Sequence, residues 1–191
     1  MSLNAPEDGF CDIDALQAKA DVIHFGYEPE AGAEMLKCYL EFTTPLRQHP
    51  QMRFFALKWR QDGAWAHSKY KLCEGFDMET RKAILETHIE AGPQCDVMVG
   101  FSEQVGQDAP FLEVTEPGNP RVSVDLNLTS MSKRIGELTN ALQLLLGKQA
   151  IPYLEEYRDD KVGHVSAGIA RDQRAFSTVY HGAEFMHGDL A

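Results

Sequence analysis

Positive charge is scarce in this sequence: 18 Lys and Arg stand against 29 Asp and Glu, a formal net charge of -11 over 191 residues. The average field therefore repels nucleic-acid phosphates and anionic membrane surfaces and argues against either as a partner. An anionic ligand has to be held by a local group of cations working against that background. Long apolar runs are missing as well, so no segment reaches the roughly 18 residues of a membrane-spanning helix. Cys11, Cys38, Cys73 and Cys95 are widely spaced and form no CxxC pair. The N-terminus lacks the basic-then-apolar layout of a secretory signal, so the expectation is a reduced, cytoplasmic protein.

Several catalytic signatures are absent too. GxGxxG and GxxxxGK[ST] do not occur, which removes those nucleotide-phosphate loops, and GxSxG does not occur, which removes that nucleophile elbow. The seven His residues include no HExxH or comparable ligand spacing, so no metal site is expected. His181, His187 and Asp189 near the C-terminus read as a solvated tail. Cys38 falls among apolar neighbours and reads as an inert core thiol.

What is present is enough apolar material for a core, 43% of residues, in a chain of single-domain length. Residues 1–11 read as a flexible terminus, 12–183 as one α+β domain and 184–191 as a C-terminal tail. Helices are predicted over 12–20, 78–91, 132–146 and 152–159, the third with Ile135, Leu138, Leu142 and Leu145 on one stripe. Strand pairs are predicted over 21–26 and 35–42, 53–60 and 66–72, 111–115 and 121–129, and 163–170 and 175–180. Their turns carry Pro29 and Gly32, Asp62-Gly63, EPGNP and RDQR. One further strand is expected over 97–101. Successive hairpins make an antiparallel sheet of eight or nine strands, open or closed into a barrel, with helices on its apolar face. A weak echo between the first and last hairpins, and between the second and third, suggests a twofold internal repeat.

Alternation sorts each strand into two faces. Leu36, Cys38, Leu40 and Phe42 oppose Lys37, Tyr39 and Glu41. Phe55, Leu57 and Trp59 oppose Phe54, Ala56, Lys58 and Arg60. Ser68, Tyr70 and Leu72 oppose His67, Lys69 and Lys71, and Val122, Val124, Leu126 and Leu128 oppose Arg121, Ser123, Asp125 and Asn127. Phe176, Thr178 and Tyr180 share a face on the last strand. The polar sets group Lys37, Lys58, Arg60, Lys69 and Lys71 with Tyr39, and Tyr180 adds a further hydroxyl. Cations with Tyr hydroxyls suit an anionic, diphosphate-bearing small molecule. Glu41, Glu113 and Asp125 supply carboxylates able to take a proton from a second substrate.

Lys-x-Tyr at Lys37-Cys38-Tyr39, with further Lys, Arg and Tyr on neighbouring strands and helices outside, resembles the aromatic prenyltransferases of the α-β-β-α barrel type. The resemblance implies a closed barrel holding an allylic diphosphate against an aromatic acceptor. Lys37, Lys58, Arg60, Lys69 and Lys71 would bind the diphosphate, Tyr39 and Tyr180 would shield the allylic cation, and Glu41 or Asp125 would act as acid or base. Mg2+ would accompany a bound diphosphate; no other cofactor is implied. The chain is shorter than members of that family and has fewer strands, so a homodimer is one way for it to complete its sheet. The competing expectation is a noncatalytic interaction domain, an open one-sided sheet whose exposed edge pairs with another chain.

Overall fold

A computed structural model describes residues 6–30, 33–73 and 77–182. Gly32, His187 and Asp189 lie outside the described residues, and with them part of the first turn and most of the C-terminal His cluster. The fold is α+β. Eight antiparallel strands follow one another in a single sheet in chain order: β1 (Val22–Glu30), β2 (Ala33–Glu41), β3 (Met52–Arg60), β4 (Trp65–Leu72), β5 (Phe111–Thr115), β6 (Val122–Asn127), β7 (Val162–Ile169) and β8 (Ala175–His181). β1 and β8 stand at the two ends of that order. Among the described residues five α-helices accompany them: α1 (Glu7–Gln17), α2 (Met78–His88), α3 (Pro93–Val105), α4 (Ile135–Leu146) and α5 (Ile151–Glu156).

The chain divides into two compact units, residues 1–73 with 112–122, and residues 74–111 with 123–191. In the first, α1 covers one face of the β2–β4 ladder. Ile13 joins Cys38, Leu40, Phe42, Met52, Phe55, Leu57 and Trp59 in a buried core, and Phe10 meets Trp59 edge to face. Gly9 permits the close approach, because a Cβ there would lie 2.9 Å from a Leu57 methyl. The helix begins earlier than the sequence suggests, at Glu7 rather than residue 12. Pro6 at the N-cap and Glu7 and Asp8 in the first turn favour a start there, since acidic side chains complement the N-terminal dipole.

In the second unit α2, α3, α4 and α5 pack in succession, and α4 and α2 also meet β8 and β7. The strand expected over 97–101 is part of α3. Its buried residues Cys95, Met98, Phe101 and Ser102 repeat at helical spacing, and Pro93 at the first turn opens it. Arg81, 1% exposed, ties α2 to the turn after α3: its guanidinium donates to the carbonyls of Gly106, Gln107 and Ala109 and lies over the Phe111 ring.

Candidate functional site

Register decides which residues share a face, because residues directly opposite in an antiparallel pair point the same way. Gly26 faces Lys37, Lys37 faces Lys58 and Lys58 faces Ala66; one step along, His24, Tyr39, Ala56 and Ser68 line up. This polar face of the first unit therefore carries Lys37, Tyr39, Glu41, Phe54, Lys58, Arg60, Ser68 and Tyr70. Tyr70 meets Tyr39 and Phe54 edge to face, with centroids 5.9 and 5.8 Å away, and Lys58 Nζ lies 5.9 Å from the Tyr70 centroid.

β4 is sorted the opposite way from the sequence expectation. Leu57 faces His67 and Phe55 faces Lys69, so His67 and Lys69 lie on the α1 side while Ser68 and Tyr70 join the polar face. His67 is held there by Gly9 O at 2.9 Å and Asp12 at 3.3 Å. Lys69 is exposed, and Lys71, in phase with it, pairs with Glu113 at 3.7 Å. The grouping of five cations on one surface thus reduces to Lys37, Lys58 and Arg60.

A carboxylate absent from the sequence reasoning organises the polar face. Glu116 follows β5 in phase with Val114, which faces Tyr70, and its side chain is fully buried. Ser68 Oγ and Asn119 Nδ2 each donate to it at 3.1 Å, Arg121 lies 3.5 Å away and Lys58 3.8 Å. A buried carboxylate needs this many donors to remain charged. The EPGNP segment reads as turn chemistry alone, and the only signal for Glu116 is its phase with β5.

Glu41 is also engaged. Its two oxygens take His24 Nε2 and Arg53 at 2.9 Å each.

Asp125 and Tyr180 belong to the second unit. Asp125, 9% exposed, accepts His164 Nδ1 at 2.9 Å; Asn127 lies 3.4 Å from Nε2, and Tyr180 faces His164 across β7 and β8. Burial pushes the His164 pKa down, but the hydrogen bond and charge of Asp125 outweigh it and the net shift is upward. His181 sits between Asp160, at 2.8 Å from Nδ1, and the Tyr153 hydroxyl, against the Tyr157 ring. Among the described residues no group of three or more His, Cys, Asp and Glu side chains is arranged to hold a metal ion, and no helix is long and apolar enough to cross a membrane.

The other face of β1 has no counterpart in the sequence reasoning. Ile23, Phe25 and Tyr27 face Leu40, Cys38 and Leu36, so they continue the core face outward. Yet they are 45%, 79% and 57% exposed, on the first strand of the sheet order. Among the described residues no strand pairs with the outer edge of β1.

Compared with protein-family models, curated proteins and solved structures, the chain matches none of them.

Proposed function

We propose that this chain is a protein-interaction domain that takes a partner strand along the outer edge of β1. The observation that carries the proposal is Phe25, 79% exposed at the centre of an apolar stripe on a strand at the end of the sheet. Single exposed apolar residues are ordinary, but three on one face of an edge strand form a patch of the kind that marks an interaction site. An added strand would use the backbone groups of β1 for affinity and the stripe for selectivity. A strand-forming peptide library selected against the wild-type chain, with Phe25→Glu as counter-target, tests this. Enriched peptides should alternate apolar and polar residues; a library that does not separate the two proteins would contradict the proposal.

A second reading is favoured by the polar face of the first unit, where Lys37, Lys58, Arg60, Tyr39 and Tyr70 share one side of the sheet. These groups suit an anionic small molecule, a prenyl diphosphate with Mg2+ in the fullest version. For that version Lys69 and Lys71 drop out of the ligand set, and Glu41 is already held by His24 and Arg53. Inorganic pyrophosphate, with and without Mg2+, should then raise the melting temperature of the wild type and not of Lys37→Ala. Absence of any shift at saturating pyrophosphate removes this reading.

A further inference from the structure

We infer that Tyr153, His181 and Asp160 form an acyl-accepting site, with Tyr153 as nucleophile, His181 as its base and a neutral activated ester as the donor class. All three residues belong to the second unit, so the inference stands apart from the strand and anion readings above.

Three pieces of the chain converge on the site. Tyr153 comes from α5, Asp160 from the segment between α5 and β7, and His181 from the end of β8, inside the sheet and not in a solvated tail. The Tyr153 and Tyr157 rings, with centroids 4.7 Å apart, both pack against His181, at 5.4 and 4.8 Å. The His181 side chain is left 12% exposed. Asp160 is fixed through its backbone, since its N–H donates to Tyr157 O at 3.0 Å and its carbonyl accepts Ile135 N at 2.9 Å. Gly182 leaves room for its carboxylate, because a Cβ there would lie 2.8 Å from Asp160 Oδ2.

These hydrogen bonds give a proton a direction of travel. A carboxylate only accepts, so Asp160 Oδ2, 2.8 Å from Nδ1, keeps the ring proton on Nδ1. Nε2 is then an acceptor, and it meets the Tyr153 hydroxyl. Nucleophile, base and orienting acid stand in bonded sequence, the signature of an activated side-chain nucleophile. Burial, with Tyr157, Asp160 and Glu156 nearby, raises the Tyr153 pKa, so the phenol keeps its proton until a base takes it.

The same two acids select the donor. A phosphoryl donor would bring negative charge toward Asp160 and Glu156, whereas a neutral ester meets no such repulsion. Tyr153 is 41% exposed and open to it. In the transfer, Tyr153 Oη bonds the acyl carbon, and the bond from that carbon to the leaving oxygen breaks. The phenol proton passes through His181 Nε2 to the leaving oxygen, giving a Tyr153 ester and a free alcohol.

The test treats the full chain with p-nitrophenyl acetate and follows acetylation residue by residue by mass spectrometry. Tyr27 and Tyr180, 57% and 45% exposed, are controls in the same molecule. Tyr153 should be acetylated about tenfold faster than either. His181→Gln should remove that lead and leave the rates at Tyr27 and Tyr180 unchanged. Asp160→Asn should reduce the lead and Asp160→Glu should recover part of it, and these two variants with the wild type decide the matter if His181→Gln does not fold. Equal rates for the three tyrosines in the wild type overturn the inference. A lead that survives His181→Gln in a folded chain, or equal losses in the two Asp160 variants, overturns the relay and makes the cluster a structural tie between α5 and β8.

Discussion

Phe25 and Cys38 sit directly opposite each other across β1 and β2, on one face, with Phe25 79% exposed and Cys38 3% exposed. Between those two positions the apolar face passes from the α1 core into solvent. Under the strand-docking proposal, the core-type residues that β1 carries past the edge of the core serve a partner strand.

That boundary predicts opposite costs for truncation on either side of it. Ile23 faces Leu40, and the two are 45% and 0% exposed. Leu40→Ala should destabilise the chain by about 2–5 kcal/mol through lost burial and a cavity. Phe25→Ser should stay within about 0.5 kcal/mol of the wild type. Urea denaturation of both variants checks the contrast, and a large loss for Phe25→Ser would mean that the stripe is structural.

The Glu116 network predicts non-additivity. Glu116→Ala leaves Lys58, 6% exposed, without one of its partners, and should cost about 3–5 kcal/mol. Lys58→Met in the same chain should recover part of that loss, because the uncompensated charge goes with it. A double-mutant cycle in equilibrium unfolding measures the coupling. Strictly additive losses would separate the two residues energetically.

Lys69→Ala offers the sharpest contrast with Lys58. Exposed and on the α1 side, Lys69 should be replaceable within about 0.5 kcal/mol and without effect on pyrophosphate protection. Lys58→Ala should lower the melting temperature by several degrees. Equal effects of the two substitutions would contradict the register of β3 on β4.

Why alternation alone put both lysines on one surface is a matter of register. Alternation within β4 separates His67, Lys69 and Lys71 from Ser68 and Tyr70 correctly, yet it cannot say which set lies beside Lys58. The pairing of Leu57 with His67 decides that, and His67 then finds Gly9 O and Asp12 on α1 instead of water. β2 and β3 are legible because Leu36, Cys38 and Leu40, and Phe55, Leu57 and Trp59, stand out as apolar sets. The segment containing Val97, Met98 and Val99 is apolar enough to pass for a strand, and only the helical spacing of Cys95, Met98 and Phe101 reveals α3. The exposure of Phe25 could not be read at all. Apolar alternation looks the same whether or not a helix reaches the strand.

The His164–Asp125 pair predicts a pH dependence. The His164 pKa in the folded chain is raised above its ordinary value of 6.5, so the pair stabilises the fold most below that value. The contribution is lost as pH rises through the raised pKa. The stability difference between wild type and Asp125→Asn should therefore be larger at pH 5.5 than at pH 8.5, an interval spanning about 1 unit or more on either side of the ordinary value. Unfolding curves at the two pH values check the sign, and a larger difference at the higher pH would contradict the assignment.

Amide hydrogen exchange along β1 tests the central claim most directly. On saturation with a strand peptide enriched against wild type, alternate amides of Val22–Glu30 should slow, because an added strand would bond the outward-facing half of the ladder. Unchanged exchange across β1, with slowing at Lys37, Tyr39 and Tyr70 instead, would contradict docking on the edge and move the binding surface to the polar face.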